Sequence, residues 1–470
     1  MKGRSLQNLS VNAIQLIVNQ LLGLGIFYIL STGLDKHSFG EINLVLAILL
    51  AAFNILSCGI DQLVVKKIAA GEDVKTILSL YSCHVIFTGL VFYGTLVGVY
   101  FLAPGSGLVY WLLVLLGAGK LMIFFSTPFK QAANGMERFK MLAYMLVVSN
   151  FIRCSGLIFL SFSGALNLHN VMVLFICGDT AELVFCILIF TFSSKVPLVI
   201  AWDRAKYFRL LRQALPQTGV VLITSALARF DWIFIGLLVS AVKLAEYSFA
   251  YKIFEISSLP LLAIAPLLIP RFTKIFRQIN VPAKELKLLA RLEMIIAAFT
   301  ILVLNVCWSP VIDGITSGKY GLINVKTIFI LSLCLPFIYL NNFFWTIYFA
   351  QGQLKMILRS FVITFTVNVA GDILLIPFFK NEGAAFAFLA ACIVQTIYYF
   401  KKNQIAEIGS VWPPLVISIS SAILCGALAK LLFQNNWVIL LSSIGLYLLA
   451  IISTKQIKWS DRNMLKRLLS

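Results

Sequence analysis

Apolar stretches of about 20 residues, the length that crosses the hydrocarbon core of a bilayer as an α-helix, recur along the chain almost without pause from Val11 to Thr454. Their hydrophobic period and length predict helices rather than strands. Crossings are expected over 11–33, 42–61, 80–102, 108–128, 141–162, 170–192, 214–240, 247–270, 291–312, 326–348, 357–377, 383–400, 412–433 and 437–454. The predicted fold class is therefore an all-α integral membrane protein with about 14 transmembrane helices. Lys2 and Arg4 precede an apolar run too long, and too poor in small residues at its end, for a cleaved signal peptide, so it counts as the first crossing.

The intervals between crossings are short. Two of them, Ala201–Leu215 and Arg271–Leu289, mix cations with Trp202, Tyr207, Phe208, Leu211, Phe272, Ile275 and Phe276 at helical spacing and read as amphipathic helices at the membrane surface. The first falls after six crossings, where a linker between two bundles belongs. A weak repeat supports that division: Phe39-Gly40-Glu41-Ile42-Asn43 resembles Leu244-Ala245-Glu246-Tyr247-Ser248 at an offset of 205 residues. The expected organisation is an N-terminal six-helix lobe over 1–200, an interfacial linker over 201–213, a C-terminal six-helix lobe over 214–402, and two more helices with a basic tail over 403–470. Pro260, Pro266 and Pro270 in the eighth crossing and Pro336 in the tenth each remove a backbone hydrogen bond, so both helices are expected to bend.

Composition agrees with the pattern: 60% of residues are hydrophobic and 12% charged, against roughly 25% charged in soluble domains. The formal charge of +19 would point to nucleic acid in a soluble protein, but its placement changes that meaning. With the N-terminus inside, and with Arg291, Arg359 and Lys326 at the very ends of crossings counted with the adjoining loops, cytoplasmic segments hold 28 of the 38 lysines and arginines, outer loops five and crossings five. This is the positive-inside asymmetry; it persists to Lys455, Lys458, Arg462, Lys466 and Arg467, which places both termini in the cytoplasm and leaves no nucleic-acid partner to expect. The nine cysteines lie in hydrophobic stretches without a CxxC, and His37, His84 and His169 are scattered, so no metal site is expected.

Charge inside a membrane costs at least about 2.5–3.5 kcal/mol per residue and marks function. Lys120, Arg153, Asp179, Glu182, Arg229, Asp231 and Glu255 fall deep in the crossings, with Lys252, Asp372 and Lys430 nearer the outer face. Asp179 and Glu182 share one helix face, as do Lys252 and Glu255, whereas Arg229 and Asp231 point apart. Two carboxylates on one face call for neutralisation by Arg153 or Lys120, or for protonation of one of them, which would permit proton coupling. A structural ion-pair network is the other reading. Guanidinium forks at Arg153 and Arg229 suit pyrophosphate oxygens. Asn8, Asn12, Gln15 and Asn19 form a polar ladder along one face of the first helix, suited to line a hydrophilic cavity or to join helices.

Three stretches resemble the polysaccharide flippases, the O-antigen transporters of the multidrug/oligosaccharidyl-lipid/polysaccharide exporter superfamily: Ser38-Phe39-Gly40-Glu41; Arg229 to Gly236, running on to Glu246-Tyr247-Ser248-Phe249-Ala250-Tyr251; and Asn368 to Asp372 with Ile376-Pro377 and Glu382-Gly383-Ala384-Ala385. The resemblance implies two six-helix lobes around a central cavity plus two further helices. It implies a flippase, not an enzyme, that moves a polyprenyl-pyrophosphate-linked oligosaccharide across a bacterial cytoplasmic (inner) membrane for O-antigen, lipopolysaccharide or a related polymer. Membrane lipid and polysaccharide polymerase machinery are the implied partners. No cofactor is implied beyond proton or sodium coupling. Under this reading Arg153, Lys120, Arg229, Asn12, Gln15 and Lys252 contact cargo, and Asp179, Glu182, Asp231 and Glu255 serve ion coupling or salt bridges. Two other readings remain: an ion-coupled multidrug exporter of the same superfamily, and a membrane glycosyltransferase or polymerase. The short outer loop Asp313–Val325, with a single acid, disfavours the enzyme, and the lack of a Gly-x-x-x-x-Gly-Lys motif disfavours ATP as the direct drive.

Overall fold

The computed structural model describes residues 2–102, 107–194, 196, 202–258, 261, 272, 276, 283–403, 411–458 and 461, with most side chains from Ile14 onward. The described residues form fifteen α-helices and no strand. The chain divides into two compact units, Met1–Gly236 and Leu237–Ser470.

The first unit contains α1 (Lys2–Gly33), α2 (Lys36–Leu56), α3 (Ile60–Ala69), α4 (Val74–Leu102), α5 (Leu108–Gly135), α6 (Phe139–Phe162), α7 (Leu168–Ser194) and nearly all of α8 (Arg204–Leu238). Within it α5 packs along α4 and α7, and α6 along α1 and α7. Large apolar side chains turned away from these contacts, such as Phe87, Phe162 and Phe192, are exposed, as a lipid-facing surface requires. The stretch expected as a linker and the seventh crossing share one unbroken helix, α8. Its first turns are amphipathic as expected: Trp202 and Phe208 are exposed, whereas Leu210 is buried and the Tyr207 hydroxyl lies 2.9 Å from His84 Nδ1 on α4. The second amphipathic stretch lies largely outside the described residues.

The second unit contains α9 (Ala241–Ser257), α10 (Ala283–Thr316), α11 (Val325–Ser332), α12 (Cys334–Ala350), α13 (Leu354–Lys402), α14 (Trp412–Leu432) and α15 (Asn436–Ser453). Here α10 packs against α14, α12, α15 and α11. Buried polar bonds knit α12 to α13: Asn341 Nδ2 donates to the Cys392 carbonyl at 3.0 Å, Thr396 Oγ1 to Asn341 Oδ1 at 2.8 Å, and the Tyr348 hydroxyl to the Tyr399 carbonyl at 3.0 Å.

Among the described residues, eleven helical stretches are long and apolar enough to cross a membrane. One of them, α13, covers two predicted crossings; α8 and α9 cover the seventh and the first part of the eighth, the rest of which, with Pro260, Pro266 and Pro270, lies outside the described residues. Pro336 coincides with an interruption in the tenth crossing: α11 ends at Ser332 and α12 starts at Cys334, with Leu333 between them still in the α region at φ −65° and ψ −17°, and a proline at 336 has no N–H to give the Ser332 carbonyl.

The repeated motifs start alike. Asp35 caps α2 by accepting from Ser38 N, Ser240 caps α9 by accepting from Lys243 N, and both five-residue motifs are buried, so the offset of 205 holds at the caps. α13 is an elbow. Lys380 has φ 50° and ψ −124°, and the arms run back along each other: a Cβ on Gly371 would lie 2.8 Å from Ala387 Cβ, and one on Gly383 would lie 2.7 Å from the Leu375 carbonyl carbon. Backbone cannot yield as a flexible side chain can, so Gly383→Ala is expected to prise the arms apart and cost about 1–3 kcal/mol. Thermal unfolding in detergent should show a lower midpoint for Gly383→Ala than for Ala384→Gly; equal midpoints would mean that the elbow is not closely packed.

Candidate functional site

The deep charges of the first unit converge near the middle of α5, α6 and α7. Asp179 and Glu182 stand one turn apart on α7, Ser149 and Arg153 one turn apart on α6, and Lys120, Ser126 and Lys130 on α5. Small residues allow the approach. Gly119 faces Asp179, where a Cβ would lie 2.7 Å from Oδ2, and Gly178 faces Arg153, where a Cβ would lie 3.1 Å from Cγ.

Each carboxylate has its own cation. Arg153 Nη2 is bonded to Asp179 Oδ1, which also accepts from Ser149 Oγ at 2.8 Å, and the guanidinium carbon sits 4.5 Å from the centroid of the Phe175 ring. Lys130 Nζ is bonded to Glu182 Oε1, beside Ser126 Oγ at 3.4 Å. All four charged groups are buried. Both acids of α7 are thus paired across helices, Asp179 with the expected Arg153 and Glu182 with Lys130 rather than Lys120. Lys130 falls just beyond the crossing predicted over 108–128. The helix instead carries Pro128 in its interior and continues to Gly135. The Ser126/Lys130 spacing of one turn was the available signal.

Counted together, three cations (Lys120, Lys130, Arg153) meet two carboxylates (Asp179, Glu182), a surplus of one positive charge. Lys120 carries it. This half-buried lysine lies within electrostatic reach of the other four groups yet makes no ion pair among the described residues. In the same cluster Arg153 Nε is buried without a hydrogen-bond partner, a donor left over after Asp179 is served.

The other predicted residues lie elsewhere. In α8 the Arg229 guanidinium stacks 4.3 Å from the Trp232 ring, and Asp231 is buried and accepts from Trp232 N at 2.9 Å. In the second unit Lys252 and Glu255 form an ion pair at 2.8 Å within α9, so their shared face neutralises itself. On α13 Asn368 Nδ2 donates to buried Asp372 at 2.8 Å. Of the polar ladder, Gln15 is buried and Asn19 accepts from Asn150 Nδ2 at 3.1 Å, which makes Asn19 a joint between α1 and α6. The side chains of Asn8 and Asn12 lie outside the described residues.

A sequence family described as polysaccharide biosynthesis protein matches residues 5–276. No curated protein matches the chain. Among solved structures, the lipid II flippase MurJ in an inward closed conformation superposes with a TM-score of 0.72 at 14% identity, covering 93% of this chain and 97% of that one. An inward-facing multidrug resistance MATE family transporter of the MOP superfamily gives 0.66 at 13% identity over 84% and 98% of the two chains. The Vibrio cholerae MATE transporter VcmN in its bent form gives 0.54 at 13% identity over 90% and 99%. At these identities the likeness is one of fold.

Removing one member of a buried ion pair strands the other at a cost of about 3–5 kcal/mol, whereas removing both is far cheaper. In a double-mutant cycle, Arg153→Ala and Asp179→Ala are each expected to lower the unfolding midpoint in detergent strongly, and the double variant to recover part of the loss. Additive losses would dissolve the pair.

Proposed function

Since the chain belongs to the polysaccharide biosynthesis protein family, we propose that it is a flippase that carries a polyprenyl-pyrophosphate-linked oligosaccharide, the repeat unit of O-antigen or a related surface polysaccharide, from the inner to the outer leaflet of the bacterial cytoplasmic membrane. It works by alternating access of lobes 1–200 and 214–402, joined by the linker 201–213 and followed by the helices of 403–470, with both termini in the cytoplasm. It performs no chemistry on its cargo and hands the flipped unit to the polysaccharide polymerase machinery.

The observation that carries this reading is the surplus cation Lys120. A flippase must take a diphosphate through hydrocarbon, where unpaired anionic oxygens are prohibitively costly. A lysine held among groups that neutralise one another is a standing counter-charge, with the free Arg153 Nε–H beside it to donate a hydrogen bond. The fold shared with a lipid II flippase supports a lipid-linked cargo. The drug-exporter reading that makes Asp179 and Glu182 its coupling sites is disfavoured by their ion pairs with Arg153 and Lys130.

Loss of one charge-assisted contact, worth about 1.5–3 kcal/mol, should slow transport about tenfold or more. In proteoliposomes loaded with a lipid-linked oligosaccharide, Lys120→Ala is expected to show that loss with an unchanged unfolding midpoint, and Lys120→Arg to keep most of the rate. Flipping that ignores Lys120→Ala would remove the assigned role; export of cationic drugs without any flipping would replace the function itself.

A further inference from the structure

One deep acid plays no part in the cluster above. Glu293 lies on α10, about 10 Å along the helix from Leu286, where its apolar stretch starts. It is 4% exposed, and neither carboxyl oxygen has a hydrogen-bond partner. Its neighbours one turn away, Ala290 and Ala297, are buried and apolar.

Among the described residues, the helices packed against α10 bring no charge to Glu293. α12 carries Cys334, Tyr339 and Tyr348; α14 carries Cys425 and Lys430; α15 carries Tyr447; and α11 carries Lys326. Tyr348 and Tyr447 are bonded to the carbonyls of Tyr399 and Ile295, and Lys430 to the carbonyl of Asn305, 12 residues and about 18 Å further along α10. On α10 itself Arg291 is paired with Asp461 at 2.6 Å, and Lys284 and Lys287 belong to earlier turns. The titratable group within electrostatic reach of Glu293 is Tyr339, fully buried, whose hydroxyl lies against the Leu261 backbone and has no side-chain partner among the described residues.

A carboxylate anion in such a place would have neither water nor a counter-ion, an arrangement that costs several kcal/mol. A carboxylic acid carries no charge and has one O–H to give, and a tyrosine hydroxyl can receive it. An intramembrane acid kept without a counter-ion is retained for use. We propose that Glu293, with Tyr339 beside it, is the proton-exchange site of the second unit. The acid holds a proton in the packing seen here and releases it to water when α10 and α12 part. The O–H bond breaks, both electrons stay on the carboxylate oxygen, and the proton leaves with the solvent. A proton gradient can then bias the movement of these helices, which rests on the transport reading above for what the movement accomplishes.

The test uses the full chain in lipid nanodiscs and in proteoliposomes. Infrared difference spectra at neutral pH should contain a protonated-carboxyl band that Glu293→Gln abolishes, Glu293→Asp restores and Tyr339→Phe shifts. In vesicles, an imposed proton gradient should accelerate flipping of the lipid-linked oligosaccharide by the wild-type chain, and Glu293→Gln should lose that acceleration while still flipping at the rate seen without a gradient. A band unchanged in Glu293→Gln, or gradient-driven flipping unchanged in that variant, overturns the proposal. A chain that flips no lipid yet loses the band in Glu293→Gln keeps the proton site and refutes the flippase.

Discussion

Charge in hydrocarbon must be compensated by protein, because neither water nor mobile ions can reach it cheaply. That constraint orders the first unit. Asp179 and Glu182 are tolerable on α7 only because α6 and α5 each bring a cation, and those cations can arrive only because Gly178 and Gly119 stand where larger residues would hold the helices apart. The contacts between α5, α6 and α7 are in this sense built around two ion pairs. Lys120 stands apart: it lies within electrostatic reach of both acids and both cations and makes no ion pair among the described residues.

The membrane helices were legible because each must be apolar over a fixed length whatever surrounds it. Less legible were the places where the chain departs from a straight crossing. The elbow at Lys380 showed itself through Ile376-Pro377 and Gly383-Ala384-Ala385, since an αα-hairpin needs a break and then small residues where its arms touch. The interruption at Leu333 was marked in the sequence by Pro336, which lacks the N–H that would serve the Ser332 carbonyl. Lys130 was hidden because Pro128 reads as a terminator in water, whereas a membrane helix keeps its interior prolines when neighbours satisfy the freed carbonyls. Glu293 lies within the crossing predicted over 291–312, but its burial depends on how neighbouring helices pack against α10, which spacing along one helix does not show.

Pairing across helices belongs to another level. Spacing along one helix shows which residues share a face, and so the pair Lys252–Glu255 could be anticipated from sequence. Which acid takes which cation depends on helix rotation and register, which no single helix encodes. The offset of 205 residues lies between these levels: a weak likeness in sequence becomes firmer when Asp35 and Ser240 are found capping corresponding helix starts, because a cap sets the register of everything that follows it.

If the two units descend from one ancestral bundle, their charges have since diverged in opposite directions. The first holds a surplus lysine among satisfied ion pairs; in the second, the packing around α10 is apolar and leaves one acid without a counter-ion. A lysine kept out of the ion pairs can offer its charge to a diphosphate, so it suits binding of the anionic part of a cargo. An acid that can exist with or without its proton has two states of different charge, and only a group of that kind can make a conformational change depend on a gradient. Cargo and drive place incompatible demands on a single site, since a cation set against the acid would hold it permanently ionised. Their separation onto different helices follows from electrostatics before any appeal to ancestry.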